Sequence, residues 1–347
     1  MGLRMVRTLF ALLSLAGLWL SAAMPAHAAD VCPTARQQQF SPDIATRITA
    51  IACNENMLWY RPFIDANGRV ASTTVSEGEA DRLGDGTTET WRRVAGYWLD
   101  SGLLSRMAGF PGATDCAYAG SDRYPSPACR AFIIDQPWSA AFVSYVMTKA
   151  GVPGFRPSAS HFDYVRDAYL HPDESAFLYL DPATARPAAG DLLCYVRMPG
   201  RTYGYAGLIS ALGAGSGPLS MHCDIVVAIS PGNDGIAYTI GGNVQQGVTM
   251  RLLHVNRNGN FWGLPQRNAG DPVCSPDAPS SCNFNRQDWS VLLKLKSPSV
   301  LAQLTKTTYD SAQSQGVLPS PQVCCVNCVV GSDVPRCPDS QHPQHPR

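Results

Sequence analysis

Trp138-Ser-Ala-Ala-Phe-Val-Ser-Tyr-Val-Met-Thr-Lys-Ala150 is the stretch on which the reading of this chain turns. Phe142, Val143, Val146, Met147 and Ala150 recur at the spacing of one helical face. Pro137 suits the start of a helix, where its missing N–H is not needed, and Gly151 suits the end. A helix is therefore expected, with Ser139 in its first turn. A hydroxyl in that position has two uses. It can cap a free backbone N–H, or it can face a cleft as a nucleophile.

Outward from this helix the pattern changes. Downstream, a second helix is expected to start near Ser158–Ser160 and run through Val165 to Tyr169. After Pro187 the periodicity changes, and residues 190–197, 222–229, 236–240, 248–254 and 291–295 read as strands. Two long inserts separate them, at 198–221 and 255–288. The first carries six glycines and reads either as a lid or as a solvated surface loop. Upstream, 89–99 reads as an amphipathic helix bearing Trp91, Val94, Tyr97 and Trp98. Residues 30–70 form a helical lead-in, with Ile44, Ile48, Ile51 and Leu58 at helical steps. Helices followed by an antiparallel sheet place the chain in the α+β class.

Arg4 and Arg7 precede an apolar run from Leu9 to Met24 that closes on Ala26-His27-Ala28. A basic start, a short apolar stretch and a small-x-small site mark a secretory signal, with cleavage expected after Ala28. Ser21 and Pro25 interrupt the run, which falls short of the roughly 20 apolar residues of a spanning helix. The organisation read from the chain is a signal at 1–28, a helical extension at 29–89, the main domain at 90–297 and a Cys- and Pro-containing tail at 298–347. No membrane-spanning segment is expected after cleavage. Basic and acidic residues number 27 each. Loss of Arg4 and Arg7 keeps a near-balance that gives no electrostatic reason for nucleic acid or an anionic membrane surface as partner.

All twelve cysteines follow the signal. An even count in an exported chain reads as a disulfide framework. Cys116–Cys129 and Cys274–Cys282 would close short loops, Cys194–Cys223 would join neighbouring strands, and Cys32–Cys53 is a fourth pairing. The tail cluster Cys324-Cys325-Val-Asn-Cys328, with Cys337, His342 and His345, matches no familiar zinc spacing. No metal and no cofactor is expected.

The chemistry is carried by motifs. Trp138-Ser139-Ala-Ala-Phe-Val-Ser resembles the Trp-Cys-Ala-x-Phe-Val helix start of CHAP domains. Gly190-Asp191-Leu-Leu resembles the Gly-Asp-hydrophobic strand of CHAP and NlpC-type domains. His222-x-x-Ile-Val-Val resembles the strand bearing their catalytic histidine, and Gly241-Gly242-Asn243 takes the place of their third, polar residue. With Ser158-x-x-His161, Leu193-Cys194-x-x-Arg197 and His222-Cys223-Asp224 added, the set over roughly residues 90–297 looks most like a bacterial family known as domain of unknown function 2272, whose members carry this serine.

The resemblance implies a papain-like α+β fold and hydrolysis of amide bonds. On it, Ser139 attacks, His222 acts as base and then acid, and Asn243 orients the imidazole. Spacing supports the last pairing independently. In a hairpin turning at 231–234, His222 faces Asn243 across the strands, where side chains interact. By alternation, Cys223 leaves the opposite face from His222 and is structural rather than nucleophilic. Trp138, His161, Arg197 and Asp224 are candidates for holding substrate, Arg197 for a carboxylate and Asp224 through its shared parity with His222. A serine, unlike a cysteine thiolate at a helix N-terminus, must lose its proton during attack and needs a well-placed base. Two functions are carried forward. One is an exported amide hydrolase acting on cell-wall peptides; the other is an inactive module that holds a cell-wall peptide or glycan in the same cleft.

Overall fold

The structure, a computed structural model, describes residues 31–32, 35–121, 127–198, 200–272, 274–305, 327–328 and 335–336. The signal segment and most of the tail, with Cys324, Cys325, Cys337, His342 and His345, lie outside the described residues. In chain order the main elements are α1 (Ile44–Leu58), β1 (Phe63–Ile64), β2 (Val70–Ala71), α2 (Thr90–Asp100), α3 (Pro127–Asp135), α4 (Ser139–Ala150) and α5 (His161–Leu170). There follow β3 (Phe177–Leu180), β4 (Leu192–Val196), α6 (Gly204–Gly213), β5 (Met221–Ile229), β6 (Ile236–Val244), β7 (Gly247–His254) and β8 (Asp288–Leu295). These strands form one sheet in the order β2-β1-β7-β6-β5-β4-β8-β3. Its pairings are antiparallel except β1 with β7. The class is α+β.

Helix α4 explains the layering. It is apolar nearly all round, and it is buried nearly all round, as a central helix must be. It packs on β5 and β6, while α1 and α2 cover it from outside. Gly151 ends it in the left-handed conformation (φ 65°), where a side chain would be strained. Behind it, β4 is buried at every position, and its run Leu-Leu-Cys-Tyr-Val suits a strand covered on both faces. A second apolar cluster of Leu193, Tyr195, Val226, Leu253, Trp289 and Leu292 covers the other side.

The lead-in before residue 90 belongs to this core. Ile48, Ile51 and Trp59 are buried in it, and β1 extends the sheet beside β7. The insert at 198–221 is neither an open loop nor a bare lid. It folds as α6, buries Leu208, Ala211 and Leu212, and packs on β8. The Asp288 carboxylate accepts the backbone N–H groups of Tyr203 and Gly204, each at 2.8 Å, and so fixes where this glycine-rich helix begins. Disulfides join Cys32–Cys53, Cys116–Cys129, Cys194–Cys223 and Cys274–Cys282. Cys194 and Cys223 face each other directly across β4 and β5.

Candidate active site

Ser139 occupies the first turn of α4, but its hydroxyl does not cap the helix. Its Oγ lies 2.7 Å from Nε2 of His161, the first residue of α5. Ser144, one turn and a half along α4, makes this possible. Its hydroxyl donates to the Ser158 carbonyl (3.0 Å) and accepts the Ser158 N–H (3.1 Å). The Ser158 hydroxyl in turn accepts the Ser160 N–H (3.0 Å) and donates to Asp163 (2.6 Å). The start of α5 is thereby pinned against α4, with His161 over Ser139. On the other side of the ring, Nδ1 of His161 is hydrogen-bonded to the Tyr164 hydroxyl, one turn further along the same helix.

A second histidine stands behind the first. The His161 and His222 ring centroids are 5.1 Å apart. His222 Nε2 lies 2.8 Å from Asp224 Oδ1, and Asp224 Oδ2 accepts from Arg251 Nε at 2.9 Å. Arg251 also donates to Asn285 Oδ1 (3.0 Å) and to the Phe284 carbonyl. Arg251 comes from β7 and Asp224 from β5, with β6 between them. Gly241 of β6 lets them meet. A Cβ there would collide with Asp224 Oδ1 and fall 2.8 Å from His222 Nε2. Gly242 serves the other neighbour, since its Cβ would drive into the Phe142 ring on α4.

The expected bond between His222 and Asn243 is not formed. The hairpin leaves its turn one residue out of the expected register, with Ile229 facing Ala237 and Ala228 facing Tyr238. A bulge between Val226 and Ala228 then brings Val226 opposite Thr239 and Ile225 opposite Ile240, as expected. The chain then leaves the ladder, and Asn243 takes a left-handed conformation (φ 53°). Its side-chain oxygen accepts from the Trp138 backbone N–H (3.2 Å) and indole Nε1–H (3.1 Å). His222 instead sits opposite Tyr195 of β4. Trp138 is fully buried, stacked near Trp59 and Tyr97, and its indole N–H also donates to Glu77 (2.6 Å). Arg197 is exposed just past β4, its N–H donating to the Ser220 carbonyl at 2.7 Å. Thus Ser139, His161, His222 and Asp224 come together, Asn243 and Trp138 brace the helix start, and Arg197 stands at the margin. Tyr164 and Arg251 are further members that the motif reading did not name. A tyrosine one turn after His161, and a lone arginine in the apolar strand β7, were their signals.

The electrostatics separate the two histidines. Burial, reinforced by His222 and Arg197, pushes the His161 imidazole well below the usual histidine range. Burial also lowers His222, against the pull of Asp224. Burial works to raise the Asp224 carboxyl, but Arg251 and His222 outweigh it and hold the group at about 2. Asp224 is therefore an acceptor only, so His222 carries its proton on Nε2. Its Nδ1 is then a buried lone pair with no hydrogen-bond partner. Tyr164 is pushed well above the usual phenol range by burial and stays protonated. Among the described residues, no three His, Cys, Asp or Glu side chains are grouped to hold a metal ion.

A serine hydrogen-bonded to a neutral imidazole at the head of a helix defines the class of site. The chain itself belongs to the bacterial family of uncharacterised proteins called domain of unknown function 2272, which it matches over residues 85–295. No curated protein and no solved structure matches it.

Proposed function

We propose that this protein is an exported hydrolase of amide bonds that works through an acyl-serine intermediate. The observation that carries the reading is the 2.7 Å contact between the Ser139 hydroxyl and a histidine held neutral by burial. Ser139 Oγ adds to the amide carbonyl carbon as its proton passes to His161 Nε2. This requires the tautomer in which His161 Nδ1–H donates to the Tyr164 oxygen. The N–H groups of the first turn of α4 have no partners within the helix and face developing negative charge with the positive end of its dipole. His161 then returns the proton to the departing amine, and water hydrolyses the acyl-serine with His161 again taking a proton. His222 Nδ1 is a second free base next to this path. In the reading based on resemblance that role of base falls to His222 and Asn243 orients it; the hydrogen bonds favour His161 as base with Tyr164 as its orienting group.

Export draws support from the basic-apolar-small N-terminus and from four disulfides, which fit an oxidising compartment. No described helix is long and apolar enough to cross a membrane. The papain-like relationship and a cell-wall peptide substrate rest on the CHAP and NlpC resemblance of the motifs.

A different observation favours a second reading. Ser139 and His161 are each only 3 % exposed and His222 only 1 %. Such closure suits an inactive module in which the polar cluster is a structural relic and a peptide or glycan binds outside it. Purified mature protein incubated with cell-wall fragments, with products read by mass spectrometry, separates the two. Ser139→Ala and His161→Ala should each abolish cleavage, by about 1,000-fold or more, with circular dichroism unchanged. Turnover by Ser139→Ala at the wild-type rate would overturn the nucleophile. Fragment binding without cleavage by any form would establish the module.

A further inference from the structure

A second feature starts at Val196, one residue past the Tyr195 that faces His222. A cleft of about 460 Å³ opens where β4 ends, and its walls include Arg197, Arg267, Arg286, Asn268, Gln287 and Asp271. Three arginines and one aspartate thus line it. Arg267 is spent on the backbone carbonyls of Met198 (2.9 Å) and Arg201 (3.0 Å), and Asp271 accepts the Asn268 N–H (2.8 Å) within its own turn. Among the described residues, none of the three arginines forms an ion pair, and no side-chain partner engages Arg197 or Arg286. Uncompensated positive charge in a concave site concentrates anions, and a guanidinium fork fits a carboxylate with two parallel bonds. The size falls within the range of small-molecule and peptide-residue sites.

The cleft is tied to the catalytic cluster on both sides. Arg197 follows β4, hydrogen-bonded to Ser220 two residues before His222, and its charge is felt by both His161 and His222. Arg286 follows Asn285, the residue that accepts from Arg251 behind Asp224. Another cleft with basic and acidic walls, around Arg156 and Asp167, is already internally paired. We infer that the arginine cleft is a subsite for a carboxylate carried by the substrate beside the bond under attack. As a substrate subsite it rests on the hydrolase reading, but its binding chemistry can be measured without turnover.

The experiment is calorimetric titration of the mature chain with N-acetyl-glutamate α-amide and with N-acetyl-glutamine α-amide, which differ only in the side-chain carboxylate. The acid should bind at least tenfold more tightly, with the advantage shrinking as salt is raised. Arg197→Ala and Arg286→Ala should each bring the two probes to within about twofold of each other, while Arg257→Ala, outside the cleft, should keep the preference. Equal binding of the two probes by the wild type, or an undiminished preference in both cleft variants, overturns the inference. Tighter binding of inorganic phosphate through the same arginines overturns the carboxylate assignment. Acid-selective binding with no cleavage of any peptide removes the hydrolase and leaves the subsite standing. Cleavage by Ser139 that ignores the carboxylate does the reverse.

Discussion

Two buried carboxylate–arginine pairs brace this protein, and they are finished differently. Glu55 on α1 meets Arg93 on α2 in a two-pronged contact, accepts from Tyr97 (2.7 Å) and Tyr145 (3.2 Å), and Trp59 in turn donates to Tyr97 (2.9 Å). Each polar atom named in that network has a partner. Asp224 meets Arg251 and His222 in the same manner, yet the network ends on an unused nitrogen, His222 Nδ1. A closed network fixes which helices pack together. An open one forgoes roughly 1–3 kcal/mol for the unpaired group, and such an exception calls for a reason. The acyl transfer proposed at Ser139 would supply one.

The largest test of this contrast removes each arginine. Arg251→Met should lower stability by about 3–5 kcal/mol in urea unfolding, because it leaves Asp224 buried without its cation. Arg93→Met should cost less. Its pair is more open to solvent, at 21 % and 7 % side-chain exposure against 3 % and 1 %. Equal losses would break the distinction between a wet pair and a dry one.

A smaller effect is expected from pH. His161 and His222 both have folded pKa values below the ordinary 6.5. The unfolded chain therefore binds more protons below pH 6.5, and stability should rise with pH up to that point and level off above it. Below it the loss is at most about 1.4 kcal/mol per pH unit for each histidine. The fall should continue until the lower, folded pKa values are reached. Urea midpoints at pH 5.5 and 7.0 measure the slope, and His222→Asn should reduce it. An unchanged slope in that variant would show that His222 is not held neutral. The same depression makes the His161 limb of the activity profile flat above pH 6.5 and falling only in more acid solution.

The smallest effect concerns two tyrosines. Tyr164→Phe should lower kcat about tenfold, roughly 1.4 kcal/mol, because it frees His161 Nδ1 while leaving Ser139 in place. Tyr97→Phe, in the closed network, should lower stability and leave kcat of the folded protein unchanged. Steady-state kinetics beside thermal unfolding separates the two, and a kcat loss of similar size in both would erase the line between scaffold and site.

Much of this molecule is written locally. The 3.6-residue repeat in 138–150 yields the central helix, short apolar runs yield β4 to β8, and side-chain alternation sends Cys223 toward Cys194 and away from His222. Short loops and neighbouring strands likewise suffice for the disulfides at Cys116–Cys129, Cys194–Cys223 and Cys274–Cys282. Ser139, His161, His222 and Asp224 can all be picked out as polar residues beside apolar runs. Which of them touch cannot. The short strands β1 and β2 carry too few residues for a repeat to show, and the six glycines around α6 hide a helix that packing on β8 and the Asp288 carboxylate sustain. The register that would bring Asn243 to His222 fails because Gly241-Gly242 lets β6 leave its ladder. Arg251 crosses the gap that Gly241 leaves, and Ser144 and Ser158 tilt α5 so that His161 reaches Ser139 first. Periodicity is a property of neighbouring residues and is legible in order along the chain. Hydrogen-bond partners many residues apart depend on angstrom-scale placement of packed elements, and only the tertiary structure decides them.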